Sequence, residues 1–461
     1  MARWIPGTEA EEAALLSELG LKSVEELFTD VPRKVRMGRL GIGAAKDEPE
    51  VVRTVDAILD RNRPYSKFAN FMGGRISVRY QPALVDAILS RSEFYTSYTP
   101  YQPEASQGML QSLFEFQSLW VELTGMDAAN ASLYDGATAA GEALLLARRV
   151  REGRRFLLPA SLPWEEKSVL ANYASGFGIQ LDEIPYDPKT GRLDLDFVRR
   201  EVATGEVFGV LADLPNGFGI VDEGLLDLKS VLGDIPYIVA ADPLALTVLA
   251  PPGDWGADIV IGEGQGFGLT PSFGGPLLGL FACRSPFLRL SPGRIVGATS
   301  DASGRQAFTL TLQTREQHIR RSRATSNICT NQSLLALAFV VYASTIGPSG
   351  LAQLQQRLTE KAKTLASALG GIDGLSSPRF DAPYLGEFAI EVRRGTAREF
   401  LDRLRRRKVL GGHPLADPRP GHGTSAGELV LTAATEFTTD KDIQKYARAA
   451  RVAIAAGGKG T

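Results

Sequence analysis

Between about Gln107 and Ala282, short and nearly continuous apolar runs alternate with longer stretches of helical periodicity. Runs such as Phe208–Leu211 and Ile238–Ala241 have no polar face to turn toward water, so they suit only a sheet that is covered on both sides. Alternating them with helices supplies the crossovers that parallel strands need. The pattern predicts helices at Gln107–Thr124, Gly136–Arg151 and Trp164–Ser175. It predicts strands at Arg155–Leu158, Ile179–Ile184, Val207–Ala212, Tyr237–Ala241, Asp258–Ile261 and Leu277–Ala282. The expected architecture is α/β, open and mostly parallel.

The flanks read differently. Residues 1–70 form an N-terminal helical extension, in which Thr8 with Glu11 and Ser23 with Glu26 have capping-box spacing, and a further helix covers about Pro49–Leu59. The large α/β domain is expected over 71–330. Linking helices and a small C-terminal α+β domain follow over 331–461. There, helices run from Asn331 to about Thr345 and from Gly350 to about Leu369. The order is then strand (Glu387–Val392), helix (Arg398–Arg407), strand (Leu429–Ala433) and helix (Lys441–Ala455), the last opened by Thr439 and Asp442. The tail from Gly457 to Thr461 is rich in glycine.

Composition closes off several classes. A chain of 461 residues with 44% hydrophobic content buries a large core, and its net charge of -2 gives no attraction for nucleic acid or an anionic membrane. Cys283 and Cys329 are far apart, and His318, His413 and His422 are scattered, so neither a disulfide framework nor a metal cluster is expected. With no targeting pattern at the start and no unbroken apolar run of about 18 residues, the expectation is a cytoplasmic protein without a membrane span.

Four stretches carry candidate chemistry. The first, EFYTSYTPYQPEASQG from Glu93 to Gly108, sets tyrosines 95, 98 and 101 in a loop stiffened by Pro100 and Pro103. Such a loop can present hydroxyls and ring faces to a small polar ligand, or simply pack its rings on the core. In the second, SLYDGATAA, Gly136 and Thr138 open a helix whose N–H groups suit an anion. Asp-Gly is also an ordinary helix entry, and Asp135 would repel a phosphate. In the third, Asp242 ends an apolar strand, where open α/β sheets place ligands. The glycine-rich run after Asp258 misses GxGxxG, because the last position falls on Phe267 or Leu269, which disfavours a dinucleotide. The fourth is the basic cluster Arg315, His318, Arg320, Arg321 and Arg323, suited to a carboxylate or phosphate but equally to a solvated face or a subunit contact.

Taken together, FYTSYTPYQPEASQG, ELTGMDAANASLYDGATAA, GEGQGFGLTPSFGGPLLG, LTLQTREQHIRR and ATSNICTNQSLLALA resemble the glycine-cleaving P-protein family, in its two-chain, subunit-1 form. The resemblance runs from about Arg3 to the final helix. It implies the type I pyridoxal-phosphate fold, similar to aspartate aminotransferase. It also implies a reaction in which glycine is decarboxylated on pyridoxal phosphate and the aminomethyl group passes to the lipoyl arm of the H-protein. In this form subunit 2 carries the Schiff-base lysine and holds the cofactor covalently. The present chain has no lysine between Lys229 and Lys361, and Glu263, Gly264, Gln265 and Gly266 stand where that lysine is expected. A carboxamide forms no imine with an aldehyde.

The same resemblance implies an α2β2 heterotetramer whose active sites are built across subunits. Tyr95, Thr96, Tyr98, Tyr101 and Gln102 are then the catalytic contributions expected from this chain. Ser272, Gly274 and Gly275, and after them Arg323, Thr325 and Asn327, are expected to reach the partner's cofactor. Asp242, Gly136 and Thr138 mark a degenerate second site in this chain. Two other readings stand beside this one: a stand-alone type I lyase with an unexpectedly placed lysine, and a non-catalytic scaffold or regulatory pseudoenzyme.

Overall fold

The computed structural model describes residues 7–38, 41, 43–416 and 428–457; His422, Lys459 and the tail beyond Gly457 lie outside them. Two compact units are present, Met1–Arg63 and Pro64–Thr461.

In the first unit, helix Glu9–Glu18 is opened by a capping box in which Thr8 and Glu11 satisfy each other's main-chain N–H groups. Asp47 caps helix Glu48–Leu59 by a single bond, its side chain accepting the Glu50 N–H. Ser23 does not behave as its spacing predicts. It begins a 3-10 turn, Val24–Phe28, without a side-chain cap, because the Glu26 carboxylate accepts instead from the Lys22 N–H. No helix of this unit has a buried residue.

The second unit is organised by a seven-stranded sheet. Its strands in chain order are β1 (Ala128–Ala129), β2 (Arg155–Pro159), β3 (Gln180–Ile184), β4 (Val207–Leu214), β5 (Tyr237–Ala241), β6 (Ile259–Glu263) and β7 (Gly279–Cys283). The spatial order is β1-β7-β6-β5-β4-β2-β3. Strands β2 to β6 run parallel, while β7 is antiparallel to both β6 and β1. All residues of β4, β5, β6 and β7 are buried, as their sequences require. Strand β3 (QLDEI) lies at the edge and keeps polar residues outward, which protects an unpaired strand.

Alternate residues feed two cores. Leu157, Val210, Val239 and Val260 meet Phe116, Trp120 and Phe339 on one face, while Phe156, Phe208, Ile238 and Ile261 meet Leu144 and Leu170 on the other. Phe339 stacks on Phe267 at 4.6 Å and meets the edge of Phe116 at 5.4 Å.

The expected helices at 331–345 and 350–369 form one element, Ser333–Gly370, broken where Gly347 adopts φ +72° ahead of Pro348. Contrary to expectation, it is long and apolar enough to cross a membrane by length and composition. Its apolar residues are used elsewhere: Phe339 and Tyr342 enter the sheet core, and Ala362, Leu365 and Leu369 enter the core of the C-terminal region. That region is an antiparallel sheet of Leu375–Ser376, Glu387–Val392, Leu429–Ala433 and His413–Pro414, covered by helices Ala397–Arg406 and Asp440–Gly457. Ala69–Asn70 pairs in parallel with Val409–Leu410, so these two residues pack with this region. A hairpin, Ile295–Ser300 with Gln306–Thr311, was not expected from the sequence.

Truncating Phe339 to alanine removes contacts to both Phe116 and Phe267 and should cost about 3–5 kcal/mol of stability. Denaturant unfolding measures this directly, and an unchanged midpoint would contradict the packing.

Candidate active site

The carboxyl ends of β5 and β6 open on a cleft of about 620 Å³, and residues just past β4 and β5 line a smaller cavity beside it of about 50 Å³. Glu263 ends β6 and is buried. Its Oε1 accepts the N–H groups of Gln265 (2.9 Å) and Leu278 (3.0 Å), and its Oε2 accepts that of Gly136 (2.9 Å). Gly136 is the first residue of helix Gly136–Val150, and Asp135 caps this helix by accepting the Thr138 N–H at 2.7 Å. Two of the N-terminal amides that would attract an anion, those of Gly136 and Thr138, are therefore bound to carboxyl groups of this chain. Burial pushes the Glu263 carboxyl up to about 7, against the pull of its three N–H donors.

Gln265 is fully buried and held at both ends of its amide. Its Oε1 accepts the Ser77 N–H at 2.9 Å, and its Nε2 donates to the Leu269 carbonyl at 2.6 Å. Asp242, just beyond β5, is half-buried and accepts the Leu244 N–H on Oδ1 at 2.8 Å.

The segment after Gly73 supplies two arginines. Gly74 takes φ +100° and donates its N–H to Glu387 Oε2 at 2.8 Å, a turn that favours glycine. Arg75 then pairs with Glu166 (2.7 Å) and with Asp213 at the end of β4 (3.0 Å). Asp213 is fully buried, and desolvation raises its carboxyl to about 7 although Arg75 opposes this. Arg79 donates to Ser77 Oγ at 2.9 Å and lies 4.0 Å from Glu436. Burial likewise raises the Glu387 carboxyl above its ordinary value.

These groups do not fit pyridoxal phosphate. Two of the helix-start amides, those of Gly136 and Thr138, are taken by Glu263 and Asp135 and so are closed to a phosphate, and the buried side chain just past β6 is an amide engaged at both atoms.

The tyrosine loop lies elsewhere on the surface. Tyr95, Tyr98 and Tyr101 are exposed, Thr96 donates to the Ser92 carbonyl at 2.6 Å, and Gln102 is exposed at the start of the turn Pro103–Ala105. Tyr101 is pinned: its hydroxyl accepts from Arg294 Nη2 at 2.9 Å, and that guanidinium lies 5.1 Å from its ring centre. Ser272 shares a hydrogen bond with Thr270 (2.7 Å), in a loop where Gly274 and Gly275 both have positive φ and Phe273 is wholly exposed. Arg323 and Asn327 are exposed, and the Thr325 N–H donates to the Arg315 carbonyl at 3.3 Å. The structure thus brings Asp242 and Gly136 to the cleft region with Arg75 and Glu263. Tyr95, Tyr98 and Phe273 are left on the outside.

Residues 2–412 match the family described as glycine cleavage system P-protein. The chain belongs to the glycine cleavage system P-protein family. Among relatives of the P-protein, a probable glycine dehydrogenase (decarboxylating) subunit 1 of Geobacillus thermodenitrificans is 42% identical over 450 residues, covering 96% of this chain and 97% of that protein. The protein of the same description from Bacillus mycoides is 40% identical, covering 96% of this chain and 97% of its own length. A crystal structure of glycine decarboxylase (P-protein) in inhibitor-bound form superposes with a TM-score of 0.87 at 35% identity, covering 98% of this chain and 100% of that one. Glutamate decarboxylase of Lactobacillus brevis superposes at TM-score 0.68 and 12% identity over 94% of this chain and 98% of that one, which shows the fold alone. That fold is the type I fold of pyridoxal-phosphate enzymes, as the family resemblance implied.

Arg75, Arg79, Glu166, Asp213 and Glu387 were missed by the sequence reading of this P-protein chain. Asp213 had the same signal as Asp242, an acid closing an apolar strand. The arginines had only Gly73-Gly74 before them, and their partners are distant in sequence.

Glu263 yields a pH prediction. Burial favours its protonated form, so its contribution is most favourable below about 4.5 and is lost as pH rises through about 7, a change of about 3 kcal/mol at most. The melting temperature of Glu263→Gln relative to wild type should therefore improve between pH 5 and pH 8. A difference independent of pH would show that the carboxyl titrates normally.

Proposed function

We propose that this chain is a subunit of the glycine-cleaving enzyme that carries no Schiff-base lysine and completes the active site of a second chain, which holds the pyridoxal phosphate. The observation that carries this reading is Gln265. At the end of β6 stands a buried amide bonded to Ser77 and Leu269, beside a helix terminus filled by Glu263. The relatives' description as subunit 1 supports a partner chain.

In this reading, the exposed tyrosine loop is the chain's contribution to the partner's site. Arg294 fixes the loop at Tyr101 and leaves the hydroxyls of Tyr95 and Tyr98 free to meet glycine at the subunit boundary. Ser272, Gly274 and Gly275 offer a hydroxyl and main-chain N–H groups to the partner's phosphate, and Arg323, Thr325 and Asn327 flank that contact. The remaining partners are the lipoylated H-protein, which takes the aminomethyl group, and a second pair of chains in an α2β2 assembly. The setting is the bacterial cytoplasm.

The isolated chain should show no aldimine absorbance with added pyridoxal phosphate and no glycine–bicarbonate exchange, and mixing it with subunit 2 should produce both. A pyridoxyl group trapped by borohydride on any lysine of this chain would overturn the assignment. Turnover by subunit 2 alone at the rate of the mixture would favour a scaffold instead. Tyr95→Phe and Tyr98→Phe should each lower turnover of the assembled enzyme by roughly tenfold to a hundredfold without preventing assembly. Wild-type turnover in both would remove the tyrosine loop from the site.

A further inference from the structure

The small cavity beside the cleft has a composition that vestigial packing does not require. It measures about 50 Å³, on a scale where one water occupies roughly 10–15 Å³, so it has room for roughly three to five heavy atoms. Its lining carries both signs of charge. Arg75 and Arg79 come from the segment after Gly74, and Asp242, Glu263 and Glu387 come from two strand ends and the C-terminal sheet. On this lining the buried Arg79 Nη1 lacks a hydrogen-bond partner. An unmet buried donor on a lining that also carries carboxylates points to an occupant with both an acceptor and a donor.

The two ends of the cavity differ in what they can take. Arg75 is already bracketed by Glu166 and Asp213, whereas among the described residues Arg79 has a hydrogen bond only to Ser77, with Glu436 at 4.0 Å and Glu387 near enough to feel its charge. The Arg79 guanidinium is thus available to a carboxylate. Asp242 spends Oδ1 on the Leu244 N–H and Glu387 spends Oε2 on the Gly74 N–H, which leaves a second oxygen on each for an ammonium group. A lone anion would meet these carboxylates, and a lone cation would leave Arg79 unmatched. A zwitterion matches both.

We infer that this cavity is a binding site for a small zwitterionic amino acid, glycine, with its carboxylate on Arg79 and its ammonium between Asp242 and Glu387. The site is non-catalytic, since no lysine stands on its lining to hold a cofactor. It is separate from the glycine turned over at the partner's cofactor. The choice of glycine among small amino acids rests on the proposed function, while the requirement for a zwitterion rests on the cavity alone.

The test is equilibrium binding of labelled glycine to the full chain without its partner, where no turnover site exists. Saturable binding of one glycine per chain is expected, with methylamine and acetate, which each carry one of its two charges, competing at least tenfold more weakly. Arg79→Met and Asp242→Asn should each weaken binding at least tenfold, with circular dichroism confirming that the variants are folded. Absence of saturable binding, equal competition by either half-molecule, or full binding in both folded variants would each overturn the proposal. None of these outcomes bears on reconstitution with subunit 2, so the two readings fail independently.

Discussion

One carboxylate, that of Glu263, ties together the three segments on which the cleft depends. Its oxygens receive N–H groups from the turn after β6, from the start of the return into β7 and from the first residue of helix Gly136–Val150. A buried acid with three main-chain donors is a strong local organiser, because each donor lost would be left buried without a partner. The same contact decides what the cleft can hold. A helix terminus is attractive to anions only while its amides are free, and here those of Gly136 and Thr138 are already taken by side chains of the protein.

Much of the framework could be read from the sequence, and the reason is physical. Strand β5 and the helices Gln107–Thr124 and Trp164–Ser175 begin and end where apolar pattern and helix punctuation place them, since burial on both faces leaves a strand little freedom of composition. The hairpin Ile295–Thr311 was not legible. Its residues are only partly buried, so no continuous apolar run marks it. The break at Gly347 was placed well, but the chain continues through it as one element, because Pro348 can begin a new helical turn as readily as end an old one.

The site divides along the same line. Asp242 and Gly136 follow from the general position of ligands at parallel strand ends, and that rule places them at the cleft. Arg75 and Arg79 needed the fold, because the carboxylates beside them come from Glu166, Asp213 and Glu436, which lie at least 87 positions away along the chain. Loop residues such as Tyr98 carry no packing signature at all, and only composition and family resemblance single them out.

The element Ser333–Gly370 reaches from the sheet core to the C-terminal core, with its one interruption at Gly347. The C-terminal sheet also sends Glu387 to the Gly74 N–H, at the cavity wall. Glu387 and Gly74 stay together, because residues 69–71 are hydrogen-bonded to the same region, so this wall of the cavity belongs to the C-terminal region while the opposite wall belongs to the strand ends.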